Sequence, residues 1–176
     1  MPQGDTVIPD IITQTPRLII RPFNQTDIES LFLMNSIPEM LTYIPTKPFT
    51  ELSQAQALFD DVVLANYHEF GFGRWAVQHK QDNRVIGFCG PKFIPEFNKV
   101  ELGYRYFPQY WGQGIGSEAA QAVLDTLKPL HQLHEAIALI LQGNKASEAV
   151  ALKVGMTRIN DCKFGGEDIH VYHTAL

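Results

Sequence analysis

Residues 100–119 read VELGYRYFPQYWGQGIGSEA, and a change of period inside this stretch decides the fold. Val100 to Phe107 alternates as a strand does, with Leu102, Tyr104 and Tyr106 on one face and Glu101, Gly103 and Arg105 on the other. From Ile115 onward, Ile115, Ala119, Ala122, Val123 and Leu127 fall at helical spacing, while Glu118, Gln121, Asp125 and Lys128 lie off that stripe. Between the two, Gly112, Gly114 and Gly116 alternate, so the backbone is free to approach a ligand and to take positive φ. A helix that starts inside such a run presents N–H groups without internal partners and the positive end of its dipole. Strand, glycine turn and helix N-terminus together make an anion site suited to phosphate.

Two common phosphate motifs do not fit. No Gly-Lys-Ser/Thr tripeptide closes a Walker A loop, and the glycines fall at positions one, three and five rather than one, three and six of a dinucleotide fingerprint.

Working outward, the chain of 176 residues suits one domain, expected over residues 15–176 behind an N-terminal arm at 1–14. Apolar residues at 45% and charged residues at 19% are those of a globular protein. With a net charge of −5 and no basic run, nucleic acid is not an evident partner. No apolar run approaches the ~20 residues that span a bilayer, and the first 16 residues lack the pattern of a signal or transit peptide. Cys89 and Cys162 have no metal-ligand spacing and read as reduced thiols, so a cytoplasmic location is expected. His131 with His134, and His170 with His173, lack the zincin pattern, so no metal is expected.

Arg17 to Phe23 reads as a first strand. Thr26 with Glu29 gives a capping-box pattern for a helix to Met34, with Ile28, Leu31 and Phe32 inward. Prolines 38, 45 and 48 predict a loop, and a second helix is expected from Glu51 to Asn66 behind Thr50, with Leu52, Ala55, Phe59, Val62 and Val63 on one side. Strands follow at Arg74 to His79 and Arg84 to Ile94. Beyond the glycine-turn helix, AIALIL at 136–141 suits a central strand covered on both faces. Asn144 caps a further helix carrying Ala146, Ala149, Val150 and Val154, and Gly155 ends it. A hairpin around Gly165-Gly166 closes the chain. The order β-α-α-β-β-β-α-β-α-β-β predicts an α/β (α+β mixed) fold, a mostly antiparallel twisted sheet of about six or seven strands with about four helices.

This order, with TPRLIIRPF at 15–23, VIGFCG at 85–90, ELGYRYFPQYWGQGIGSEA and GNKASEAVALKVGM at 143–156, resembles the GNAT superfamily of acyl-CoA-dependent N-acetyltransferases. The resemblance is strongest to the branch that includes the ribosomal-protein N-terminal (alanine/serine) acetyltransferases. It implies acetyl-CoA as co-substrate, with the coenzyme A pyrophosphate on the amides of Gln113, Gly114, Gly116 and Ser117, and with Trp111, Gly112 and Ile115 as further cofactor-binding residues of the same loop. It also implies a fourth strand that bulges and splays from the fifth, with the pantetheine arm lying between them against Tyr106 and Phe107 and reached by Asn144. The acceptor is then a primary amine, on a protein N-terminus or a small molecule, and the protein a monomer or homodimer.

Amide formation needs a neutral amine, whereas an α-amine has a pKa near 8 and a lysine amine about 10.4. By family position Glu101 is the candidate base, the plain alternative being a solvated carboxylate or one paired with Arg105. Ser147 stands where this branch carries a serine proposed to protonate the departing thiolate; a purely structural role in the first helical turn is the alternative. Direct attack requires neither cysteine. Phe70, Phe72 and Trp75 could wall an acceptor pocket, though such residues ordinarily serve the core. A non-catalytic acyl-CoA-binding module and a nucleotide-binding regulator are the rival readings.

Overall fold

The computed structural model describes residues 8–176. A single sheet runs in the order β1-β2-β3-β4-β5-β6-β8-β7. Its strands are β1 (Thr13–Gln14), β2 (Leu18–Pro22), β3 (Trp75–His79), β4 (Arg84–Ile94), β5 (Lys99–Tyr106), β6 (Glu135–Leu141), β7 (Thr157–Phe164) and β8 (Glu167–Ala175). All neighbours are antiparallel except β5 and β6. That exception follows from the glycine-turn helix, α5 (Ile115–His131), which supplies the crossover a parallel pair requires. The expected mixed α/β sheet is present with one added strand. Residues 13–14, assigned above to the arm, pair with β2, and Ile12 is buried with its N–H donating to Ile20 O at 2.8 Å. Residues 1–7 of the arm lie outside the described residues.

The remaining helices are α1 (Ile28–Met34), α2 (Pro38–Leu41), α3 (Leu52–Leu58), α4 (Leu64–Phe70) and α6 (Lys145–Lys153). The cap before α1 is not Thr26 with Glu29 but Asn24 with Asp27, whose carboxylate accepts the Asn24 N–H at 2.9 Å. Asp27 is already fixed there by Arg21, at 2.7 and 3.0 Å, so it needs little further ordering to cap. α2 occupies the stretch expected to be loop, with Pro38 in its first turn, where a missing N–H does no harm.

The second helical region is capped by Glu51 rather than Thr50, and it continues to Phe70 through a π turn at Phe59–Val63. Ala55, Phe59, Val63 and Tyr67 are all buried, a strict step of four, whereas Leu52 and Val62 are exposed. A step of four advances an ordinary helix by about 40° beyond a full turn. The wider π turn takes up that drift and keeps the stripe on the sheet.

Alternation sorts the two faces. Trp75, Cys89, Leu102, Tyr104 and Tyr106 point to the layer of α5 and α6, where Trp75, Leu102, Ile115, Val123 and Leu127 are almost fully buried. Each such aliphatic side chain stabilises the fold by about 1.5–3 kcal/mol. Ala76, Phe88, Gly90, Gly103 and Arg105 point to the other face, where α1 packs. The inward face of α6 is also corrected. Ala146 and Ala149 are exposed, and Ala151 and Val154 are buried with Ser147 and Val150 partly so.

Candidate active site

The glycine turn delivers what its spacing requires. Gly112 and Gly114 have φ of +70° and +77°, and α5 starts at Ile115. Gly116 is needed for a different reason: a Cβ there would stand 3.1 Å from Val150 Cγ2 and 3.4 Å from the Tyr106 ring. Among the described residues, no backbone N–H from Gly112 through Ser117 donates to a protein acceptor, and the helical ladder begins only with Glu118 N–H to Gly114 O at 3.1 Å. A run of unpaired amides at the positive end of a 17-residue helix is an anion cradle.

Two side chains hold the cradle in place. The Trp111 indole N–H donates to Tyr106 O at 2.7 Å, tying the turn to the end of β5 while leaving the ring half exposed. Gln113 donates from its amide side chain to Gln109 O at 2.8 Å and accepts from Arg17 at its carbonyl at 2.9 Å.

The splay of β5 from β6 is visible as a ladder registered at a single pair, Glu101 with Ile137. The bulge is not: β5 pairs with β4 in unbroken register from Gly87 with Tyr106 to Ile94 with Lys99. Phe107 N–H donates to Ile86 O and Phe107 O accepts from Tyr110 N–H, both at 2.9 Å, so its N–H is engaged by β4 rather than turned to the gap. Alternation then turns the N–H groups of Tyr104 and Tyr106 toward the gap. Glu101 sits at the closed end of that gap, five residues and about 17 Å from Tyr106 at the cradle.

Glu101 is paired, though not with Arg105. Its Oε2 contacts the Arg74 guanidinium, which also donates to Gly90 O at 2.6 Å. Ser147 lies on the opposite face of β5, where its carbonyl accepts the Tyr104 hydroxyl at 2.7 Å and its N–H is capped by Asn144 Oδ1 at 3.2 Å. Its own hydroxyl has no partner among the described residues. The two candidates thus lie on opposite faces of β5, Glu101 on the α1 side and Ser147 on the α6 side. Asn144 spends its side-chain oxygen on the cap of α6 and keeps its amide nitrogen free.

A model of the acetyltransferase (GNAT) domain matches residues 17–157. The chain belongs to the GNAT acetyltransferase family. It is 31% identical over 163 residues to the protein YkkB of Bacillus subtilis (strain 168), covering 90% of this chain and 92% of that one. The crystal structure of an acetyltransferase from Agrobacterium tumefaciens str. C58 matches with a TM-score of 0.78 at 26% identity, covering 92% of both chains. The spermidine N-acetyltransferase of Vibrio cholerae, solved with CoA and spermine, shares the fold with a TM-score of 0.77 at 15% identity, over 92% of this chain and 96% of that one.

This GNAT protein is an acetyl-CoA-dependent N-acetyltransferase. Burial pushes the Cys89 thiol up to about 12, which makes it a poor nucleophile. Phe72 and Trp75 are buried, and Phe72 packs beside Phe70 and edge-on to His131; the three aromatics therefore serve the core. Among the described residues no group of three His, Cys, Asp or Glu side chains stands together as a metal site.

Sequence reasoning missed the residues that brace the site. Arg17 reaches Glu118 through Nε at 2.7 Å, and Thr15 Oγ1 donates to the same carboxylate at 2.5 Å, so the start of β2 clamps the first turn of α5. Burial alone raises the Glu118 carboxyl, but Thr15 and Arg17 outweigh it and hold the group below the usual range. The available signal was a cation opening the TPRLIIRPF strand together with an acid in the first turn of the glycine helix.

Proposed function

We propose that the protein acetylates a primary amine by direct attack on the acetyl-CoA thioester, with Glu101 as the base. The observation that carries this reading is the placement of Glu101 at the closed end of a gap whose open end carries the free amides of Gly112 to Ser117. The amides of the turn would hold the pyrophosphate, and the edge amides of Tyr104 and Tyr106 would pair with the pantetheine arm. Bound there, acetyl-CoA supplies the activated acyl group. Glu101 accepts the amine proton on the α1 side of β5, and the Ser147 hydroxyl stands ready on the α6 side to donate a proton to the leaving sulfur. The C–N bond forms as the C–S bond breaks, nitrogen gives one proton to Glu101 and sulfur takes one from Ser147, and exchange with solvent returns Glu101 to the carboxylate and Ser147 to the hydroxyl.

The loop after α2 brings the Tyr43 ring to 3.9 Å from where a Cβ of Gly143 would be, at the cradle end of the gap. Acetyl-CoA as donor and unpaired cysteines fit a cytoplasmic enzyme.

The test is thiol release from acetyl-CoA across peptides, polyamines, amino acids and aminoglycosides. The expected outcome is turnover with at least one amine and a Glu101→Gln variant whose rate falls further as pH drops, because more of the amine then needs deprotonation. A pH profile identical to wild type removes Glu101 as the base.

A further inference from the structure

Where Glu101 would receive the amine, β4 and β5 present Lys92 and Arg105, with Arg74 lying over them, against the one carboxylate of Glu101. The other carboxylates on this side of the sheet, Glu135 and Asp27, are taken by Lys99 and Arg21. In register across β4 and β5 stand Phe88 with Arg105, Gly90 with Gly103, and Lys92 with Glu101. The two glycines leave room for the chain ahead of β3: the Gly73–Trp75 backbone crosses over Gly90, where a Cβ would stand 2.5 Å from Gly73 O. Arg74 lies over Gly103, so closely that a Cβ there would come within 2.3 Å of its guanidinium.

Arg74 and Arg105 stand over the same Phe88 ring, at 5.8 and 5.1 Å from its centre. Arg105 has no carboxylate partner: it donates to Met34 O at 2.9 Å and to Asn35 Oδ1 at 3.4 Å, and its Nε is buried without an acceptor. Burial, with Arg74 adding to it, pushes the Arg105 guanidinium down to about 10, the sign of a cation short of counter-charge. The protein as a whole carries −5, so this local excess of cations runs against its average. A polyamine would meet like charge here.

We infer that the acceptor is a small amine carrying its own anionic group, a carboxylate or a phosphate a few ångströms from the nitrogen, which Arg74 and Arg105 receive beside Phe88. The inference rests on the acetyl-transfer reading above. The substrate anion takes the Arg74 guanidinium in place of Glu101, and the released Glu101 carboxylate becomes free to accept the amine proton. Arg74 is thus a specificity-determining and positioning residue, and the base is unmasked only by an acceptor of the right charge.

Two matched pairs of acceptors test this, tyrosine against tyramine and phosphoethanolamine against ethanolamine, each assayed by thiol release and each titrated calorimetrically onto the enzyme–CoA complex. The anionic member of at least one pair is expected to be favoured by about tenfold or more in kcat/KM, and the pair that shows it separates carboxylate from phosphate. Arg74→Gln should bring that ratio close to one, chiefly through KM, while its own CoA titration shows that it has folded. A wild-type preference for the members without an anion overturns the inference, as does a ratio that survives Arg74→Gln. If no amine is acetylated, the acetyl-transfer reading fails instead, and the titrations still decide. Binding of an anionic member that Arg74→Gln abolishes supports anion recognition, and equal binding of both members of each pair overturns it.

Discussion

The two halves of the site that meet along β5 are made of different materials. The donor half is backbone: free amides from Gly112 to Ser117 and a strand edge that its neighbour leaves unpaired. The acceptor half is side chains, Arg74 on Glu101 and over Gly103, and Arg105 on the end of α1. A backbone cradle is fixed once the chain has folded, and in the proposed reading it holds a group that every acyl-CoA shares. An ion pair has to be opened by its ligand, and the charges around it set which ligand succeeds. On the proposed function and the inference drawn from it, the donor half is preorganised and general and the acceptor half gated and selective.

The largest effect should come from the acceptor half. Glu101→Gln is expected to lower acetyl transfer at saturating substrates by about 10²–10⁴, the usual contribution of a positioned base. CoA affinity, set by the other half, should stay within about threefold of wild type. Thiol-release kinetics beside calorimetry separate the two, and a variant that lost CoA binding as well would break the division of labour.

A smaller effect is expected from the cradle. Gly114 sits at φ +77°, where a Cβ costs about 1–2 kcal/mol even though the nearest side-chain atom is 3.7 Å away. Gly114→Ala should therefore either lower stability by that amount or, where the free turn relaxes to escape the strain, weaken CoA binding by up to about 5- to 30-fold, leaving kcat at saturating acetyl-CoA nearly as it was. If kcat fell and the dissociation constant held, the turn would be acting on chemistry rather than on binding.

The clamp on the cradle gives a pH dependence. Glu118 has its folded pKa held below that of the unfolded chain, near 4.3, by Thr15 and Arg17 against the opposing effect of burial. Such a group contributes stability above the unfolded value, and the contribution is lost as pH falls through the folded one. Glu118→Gln should thus lower Tm at pH 7 and lower it less near pH 3. Thermal unfolding of both proteins at the two pH values checks this, and a gap that widens in acid would reverse the assignment.

The same difference in material explains what was legible in the sequence. Glycines at 112, 114 and 116 state a backbone requirement where it acts, so the turn, the start of α5 and the parallel crossover could all be read in one stretch. Ion pairs depend on register between strands far apart in the chain. Arg74 meets Glu101 from 27 residues away, and Arg17 meets Glu118 from 101. The nearby Arg105 was the natural partner for Glu101 in sequence, yet four residues along a strand separate their Cα atoms by about 13 Å, and Arg105 turns instead to α1. The π turn at Phe59–Val63 was hidden for a related reason: a stripe at steps of four looks like an ordinary helix until the positions between its members prove exposed.

The smallest effect concerns the one side chain that belongs to both descriptions. Asn144 caps α6 with its oxygen, while its amide nitrogen has no partner among the described residues and is the group proposed to reach the pantetheine arm. Asn144→Asp keeps an oxygen for the Ser147 N–H and adds a negative charge at a helix N-terminus, so Tm should hold or rise slightly. It replaces the nitrogen donor with an acceptor, so CoA affinity should fall by about three- to tenfold, the worth of one hydrogen bond. Asn144→Ala should lose both, with stability down by about 1 kcal/mol. An Asp variant that binds CoA as well as wild type would show that Asn144 is only a cap, and the donor half would then be backbone up to the edge of the gap.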